Sequence, residues 1–390
     1  MKKVIDRRTF VTCAIAGVMS PRLVMGISTD TTEELRLYVG TYTSGTSKSK
    51  GIYQVRFNAK TGAFDAPTLA VATEDPSFLA ISRNGKYLYA ANETLKFEGN
   101  SSGYVSSFAI DQATGGLTFL NRFATGGAAP CHVSVTEKGD LVVVANYLGG
   151  NVAAFKTNAD GSLQPASDIK QHVGKGPNAE RQEAPHCHSA IFDKSNKFLL
   201  VNDLGIDRIV TYAVDSKAGK LTANGEAYAA KPGSGPRHFK FHPNGKFAFV
   251  CNELDMTVSS LDCDAKLGRL SEIMTVSSLP ADYKRSNDSI ADLHVSHDGK
   301  FLYVSNRVHD SIAVFAIDEK TGSIRAIDFT KTGGKGPRNF AIDPTGNFLL
   351  AANQRSDSIT VFRIDRSTGK LTATGNSIAA PTPVCLIFAR

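Results

Sequence analysis

Two chemically active residues open apolar runs at Cys131-His132, Arg237-His238 and Arg338-Asn339, His188-Ser189 does the same, and Asp292 holds the equivalent place in a fifth run. A segment that only had to pack would not need imidazoles and guanidiniums at its start. Guanidinium groups bind carboxylate or phosphate through paired hydrogen bonds, and imidazole exchanges protons near neutral pH. A second series contains Tyr42, Glu93, Tyr147, Asp203, Glu253, Arg307 and Gln354, each directly after a recurring Asn or, for Tyr42, after Thr41. Brought to one place, Arg237, Arg307 and Arg338 with His132, His186, His188 and His238 and the carboxylates Asp203 and Glu253 would form a pocket for an anionic ligand that undergoes proton transfer. Asn339 and Gln354 are expected to complete its lining.

His186-Cys187-His188 poses a separate question. Alternation on a strand puts both imidazoles on one side and Cys187 on the other. Two imidazoles could hold zinc with His132 or His238, but no third ligand has a diagnostic spacing, so no metal and no other cofactor is expected. A Cys-His nucleophile is disfavoured because Cys187 points away from its neighbours. The segments Gly174-Lys175-Gly176-Pro177 and Gly334-Lys335-Gly336-Pro337 lack the spacing of a phosphate loop, and proline removes an amide donor where one is needed. Of six cysteines, Cys13 precedes the main body and leaves an odd five in it. Four of these sit in apolar runs, where cysteine serves as a small buried hydrophobe, so free thiols are expected.

These candidates are scattered from Tyr42 to Gln354, so the elements between them must return repeatedly to one point. A phrase recurs that does this: a turn residue, a polar residue, apolar positions, then Asn. It reads NGKYLYAAN to Asn92, KGDLVVVAN to Asn146, SNKFLLVN to Asn202, NGKFAFVCN to Asn252, DGKFLYVSN to Asn306 and TGNFLLAAN to Asn353. LRLYVGT, ending at Thr41, stands in the same register, and the spacings are 51, 54, 56, 50, 54 and 47 residues. A polar turn with glycine recurs independently at Gly62, Gly115, Gly161, Gly219, Gly268, Gly322 and Gly369. Between the marks lie short β-branched and aromatic runs such as NVAAFKT and SITVFRI, which read as strands and hairpins.

Seven units of four strands specify an all-β seven-bladed propeller. The chain ends favour a closed ring over an open solenoid. LRLYVGT opens the first unit one strand later than the internal units open, and Pro383 to Phe388 supplies the missing innermost strand.

Apolar residues at 42% and charged residues at 21% fit a globular chain with a large core. Lys2, Lys3, Arg7, Arg8 and Arg22 against Asp6 carry four of the seven net positive charges, so the rest has no basic block and, with no tryptophan, little to track a phosphate backbone. Nucleic acid is not expected as a partner. Arg7-Arg8-Thr9-Phe10 followed by the short apolar run Val11 to Met19 reads as a twin-arginine export signal over residues 1–27, ahead of a propeller over 35–390. The run is too short to span a bilayer, which leaves a periplasmic protein without a membrane anchor. The alternative is a cytoplasmic protein with a basic N-terminus.

Combined phrases carry a resemblance. They are Val39-Gly40-Thr41-Tyr42-Thr43 with Gly51-Ile52-Tyr53, Gly176-Pro177 through Arg181-Gln182-Glu183 to Pro185-His186-Cys187-His188-Ser189, and Gly235-Pro236-Arg237-His238 with His242-Pro243-Asn244-Gly245. Asn252-Glu253-Leu254, Ala291-Asp292-Leu293-His294, Asn306-Arg307 and Gly336-Pro337-Arg338-Asn339-Phe340 continue it. From about residue 35 to 390 the chain resembles the lactonase family of seven-bladed propellers, which includes propeller-type 6-phosphogluconolactonases and fungal carboxymuconate cyclases. The resemblance implies lactone chemistry on a small anionic substrate, with His188, Arg237, Glu253 and Arg307 as the working residues; a monomer is expected as the acting form. Hydrolysis would use Glu253 as general base, His188 as proton donor to the ring oxygen, and Arg237 and Arg307 on the oxyanion and the anionic substituent. A lactone-forming cycloisomerase and a non-catalytic binding propeller are the alternatives.

Overall fold

The computed structural model describes residues 34–284 and 289–389; the export reading of residues 1–27 lies outside them. Among the described residues, 28 strands form seven four-stranded antiparallel sheets. From blade 1 to blade 7 the innermost strands are Pro383–Phe388, Pro76–Ile81, Pro130–Val135, Cys187–Phe192, Pro236–Phe241, Ile290–Val295 and Pro337–Ile342. Each touches the next around a closed ring. Five of the seven begin with proline, which is tolerated at a first strand position because no ladder donor is needed there. Among the described residues, no helix is long and apolar enough to cross a membrane.

Ring closure occurs where the chain ends predict it. Pro383–Phe388 pairs antiparallel with Glu34–Thr41, Val39 opposite Leu386. The Leu386 amide also donates to Asn339 Oδ1 of blade 7 at 2.7 Å, tying the last strand to the blade before it.

The second strands Leu141–Asn146, Phe247–Asn252, Phe301–Asn306 and Phe348–Asn353 are buried at every position. Both faces of such a strand pack against neighbouring blades, which is why these runs are continuously apolar and do not alternate. Leu141, Val143 and Val152 of blade 3, for example, pack on Leu199 and Val201 of blade 4. Each fully buried aliphatic side chain of this kind contributes about 1.5–3 kcal/mol relative to exposure. Turns between strands use left-handed glycines: at Gly161 (φ 81°) an added Cβ would lie 2.1 Å from the Tyr87 ring.

The recurring Asn is a clamp between blades. Asn146 Nδ2 donates to Thr125 O of blade 2 at 3.0 Å, and Asn306 Nδ2 to Ser278 O beyond blade 5 at 2.8 Å. An amide side chain satisfies backbone groups that would otherwise be buried unpaired at the strand end, which a Val in that place could not do.

Candidate functional site

Two local features build the mouth of the central channel. The residue after each recurring Asn is held by its amide to the carbonyl just before the inner strand: Glu93 to Asp75 O at 2.9 Å, Tyr147 to Ala129 O at 2.8 Å, Glu253 to Gly235 O at 2.7 Å and Arg307 to Ser289 O at 2.9 Å. Gly235 (φ 66°) supplies the left-handed backbone that aims its carbonyl there. Beside it, the inner strand bulges by one residue. Pro236 pairs with Asn252 and His238 with Cys251, so Arg237 is the extra residue; Cys131, His188 and Arg338 occupy the same place in their blades. A bulge re-aims the side chain it carries.

Glu253 is the centre of the result. Its Oε1 accepts from Arg181 Nη2 at 2.7 Å and lies 3.1 Å from Arg307 Nη2, while Oε2 accepts from Arg237 Nε at 2.7 Å and lies 4.0 Å from His188 Nε2. Burial alone would raise this carboxyl, but the guanidiniums of Arg307, Arg237 and Arg181 outweigh it and hold Glu253 well below the usual carboxylate range. Glu93, the equivalent residue of blade 2, accepts from Tyr42 Oη at 2.8 Å, and Arg338 donates to the same hydroxyl at 2.9 Å. Here burial prevails over the Arg338 charge and raises the Glu93 carboxyl. Burial, reinforced by Arg237 and His238, pushes His188 well below its ordinary value, so it is a neutral imidazole at pH 7.

A cavity of about 250 Å³ opens between these groups, walled by Glu93, Tyr147, His188 and Glu253 and by Arg181, Arg307 and Arg338. Cys131 completes its lining, and burial raises that thiol, as it does Cys187, out of the range of a neutral-pH nucleophile. The volume is near the lower end of small-molecule pockets, roughly 300 Å³ upward. A larger groove of about 1000 Å³ runs between turns of blades 4 and 5, past Phe192, Phe198 and Phe241. Its one imidazole, His242, is bonded on both nitrogens, to Gly299 O and the Asn244 amide, and none of the converging arginines reaches it. The chemistry therefore resides at the mouth.

His188, Arg237, Glu253 and Arg307 thus converge, and Arg338 joins them. The remaining candidates do not share that pocket. After each bulge the next side chain turns down the channel: His132 and Asn339 line a separate cavity of about 470 Å³ with Asp292 and His294, and His238 stands between the two levels. His186 stacks on Tyr147 at 4.5 Å, its ring nitrogens facing Tyr147 O at 3.0 Å and Glu183 at 3.2 Å, so it supports the wall from behind and does not pair with His188. Gln354 opens a short 3-10 turn outside the cavity lining. Asp203 is fully buried away from the mouth, where Oδ2 meets His172 Nδ1 at 2.7 Å and Oδ1 accepts from the His186 amide. Cys187 lies 3.4 Å from His172 Nδ1; among the described residues these three are the one group with metal-ligand types close together, and their direct mutual hydrogen bonds make them a clamp on the loop before His186.

Arg181 is the main residue that sequence reasoning missed. It rides on the long loop between blades 3 and 4, anchored by buried Gln182, whose Nε2 donates to Leu204 O and Asp207 Oδ1, both at 2.8 Å. The longest repeat spacing, 56 residues, was the signal that blade 4 carries an insertion. Glu93 and Tyr147 stood in the series after the recurring Asn but were not singled out.

The family model for lactonases with a seven-bladed β-propeller matches residues 36–388. A 6-phosphogluconolactonase of Bacillus subtilis is 40% identical over 351 residues, covering 90% of this chain and 97% of its own. The structure of a periplasmic gluconolactonase of Pseudomonas aeruginosa superposes with a TM-score of 0.85 at 32% identity, covering 92% of this chain and 99% of its own. A Bacteroides fragilis structure, provisionally assigned as a 6-phosphogluconolactonase, matches with a TM-score of 0.85 at 39% identity over 93% and 99%. On fold, mouth and sequence together, the chain belongs to the lactonase family of seven-bladed β-propellers.

Proposed function

We propose that this enzyme hydrolyses the lactone ring of an anionic sugar acid, with 6-phosphogluconolactone as the simplest substrate. The observation that carries this reading is the charge of the mouth: Arg181, Arg307 and Arg338 line a small cavity, Arg237 pairs with Glu253 on its wall, and only Glu253 is held firmly there as an anion. An anionic ligand relieves that excess. Arg181, Arg307 and Arg338 line the cavity and bind the anionic substituent, and the Arg237–Arg307 side receives the oxyanion that forms when water attacks the lactone carbonyl.

Proton roles follow the environments. Glu253, expected from sequence to be the base, is held by three guanidiniums and serves to fix them; an anion so stabilised is a weak proton acceptor. His188 is neutral and therefore not the acid. Glu93 is the carboxyl with a raised proton affinity on the cavity wall, and it protonates the leaving ring oxygen. The test is turnover of 6-phosphogluconolactone beside gluconolactone and a panel of unsaturated acids, followed in both directions. Release of acid from the phosphorylated lactone, with lower KM than for the uncharged one, is expected; saturable binding without turnover of any lactone refutes the reading.

Export belongs to the same proposal. Arg7-Arg8 directs the folded enzyme to the periplasm, and the periplasmic description of the Pseudomonas relative supports this. Replacing both arginines by lysine is expected to retain the protein in the cytoplasm; an unaltered protein found uncleaved in the cytosol refutes it.

A further inference from the structure

Directly beneath the mouth, His238 is held in one tautomer. Its Nδ1 lies 2.8 Å from Asp292 Oδ1, and Asp292 also accepts from the Leu293 amide at 2.9 Å, from Asn339 Nδ2 at 2.5 Å and from His294, whose Nε2 lies 3.1 Å from Oδ2. Burial would raise this carboxyl, but His294 and His238 outweigh it and hold Asp292 well below its ordinary value. An ionised carboxylate only accepts, so the proton of His238 sits on Nδ1 and Nε2 carries the lone pair. That nitrogen is buried, and among the described residues nothing donates to it. His238 also borders a cavity of about 10 Å³, shared with His188, Glu93, Arg237 and Arg338 on the mouth side. This is about the room that one water needs, and the polar walls give it partners. A buried, unpartnered lone pair on a residue that borders a water-sized polar space is the arrangement a base needs beside its nucleophile.

We propose that His238 is the general base of this enzyme, with Asp292 as its positioning residue. The assignment rests on the lactone-hydrolase reading. A water in the small cavity gives a proton to His238 Nε2 as its oxygen forms a bond to the lactone carbonyl carbon, and the carbonyl π pair moves onto the oxygen beside Arg237 and Arg307. When the intermediate collapses, the bond from carbonyl carbon to ring oxygen breaks and the ring oxygen takes the Glu93 proton. The new carboxyl group returns its remaining proton to Glu93, and the imidazolium proton leaves to solvent, so atoms and charges balance without a further reactant.

The test uses the full-length enzyme and 6-phosphogluconolactone. His238→Gln is expected to lower kcat roughly 10²-fold or more with KM little changed, the scale of a lost general base. Asp292→Asn is expected to lower kcat as well and to move the acid limb of kcat/KM to lower pH. The groups around His238 are Arg237 and Lys240 on its own strand, Asp292 and His294 of blade 6, His132 of blade 3, His188 of blade 4, and Glu93 of blade 2 and Arg338 of blade 7 across the small cavity. Burial and Arg237 bring His238 down to about 4 against the opposing pull of Asp292, so removing that anion lowers it further, which a purely structural role would not do. The ¹⁵N spectrum of the unaltered protein gives a reading that needs no variant: Nδ1 protonated and Nε2 bare is expected, and the reverse tautomer overturns the proposal. A folded His238→Gln protein that keeps full kcat also overturns it. An unaltered protein inert on every lactone refutes the hydrolase reading itself, a failure distinct from an active enzyme that does without His238.

Discussion

Replacing Glu253 by Gln removes the one anion shared by Arg181, Arg237 and Arg307 while keeping the side-chain shape. Arg181 is 41% exposed and its pair is screened, so it adds little; Arg237 and Arg307 are 2% and 12% exposed and lose a partner in a dry setting. Breaking a buried pair by removing one member costs about 3–5 kcal/mol, because the remaining charge stays buried and uncompensated. The expected loss at pH 7 is of that size, read from urea denaturation of the two proteins side by side. The pH dependence has a definite sign. Glu253 is depressed in the folded state, so its contribution is fully present above the unfolded value of about 4.3 and is lost as pH falls toward the folded value. The gap between the two proteins should therefore be flat through neutral pH and begin to close below about pH 4.3. A Gln variant as stable as the original at pH 7, or a gap that stays undiminished in acid, refutes the view of Glu253 as an anchor for the guanidiniums.

Glu93→Gln keeps the hydrogen bond to Tyr42 but has no proton to give, and steady-state kinetics should show kcat reduced about 10²–10⁴-fold; unchanged turnover removes Glu93 from the acid role. Arg338→Ala should raise KM for the phosphorylated lactone about tenfold to a hundredfold, the worth of a charged hydrogen bond, with a smaller effect on gluconolactone. Equal effects on both substrates would place Arg338 away from the phosphate. Deleting residues 383–390 exposes the edge of Glu34–Thr41 and should yield aggregates by size-exclusion chromatography; a soluble, unchanged truncation contradicts the dependence on ring closure.

The architecture was legible because its causes are periodic. Seven Asn or Thr marks, seven turn glycines and a final strand without a partner leave a closed ring as the consistent solution, and Val39 opposite Leu386 is its direct expression. The site was legible to the level of position and no further. Counting positions back from the turn glycine places Arg237 and His238 together at the channel but does not show the bulge at Arg237, which aims Arg237 at Glu253 and His238 at Asp292 while both border one small cavity. One-residue register slips have no signature in residue type, so the sequence does not tell that His132 and Asn339 line a lower cavity while His238 borders the small space beside the mouth. Arg181 escaped for a different reason: it comes from a loop outside the repeat, and the long spacing marks an insertion there without telling which of its residues turns inward. His186 and Asp203 have reactive side chains committed to holding Tyr147 and the loop before His186 in place.

Glu93 and Glu253 are one residue type in two electrostatic settings. They occupy the same place after the recurring Asn in blades 2 and 5, carry the same carboxyl group and border the same cavity. Three guanidiniums surround Glu253 and drive its proton off, while Glu93 meets a phenol that Arg338 also touches, and for it burial outweighs the charges of Arg338 and Arg237. Their proton affinities are displaced in opposite directions, which is the separation that acid–base chemistry at one pH requires. The resemblance to lactonases makes Glu253 the expected base. In the proposed division of roles the crowded carboxylate fixes the cations, the one with raised proton affinity donates a proton, and the lone pair that accepts one lies a layer below on His238.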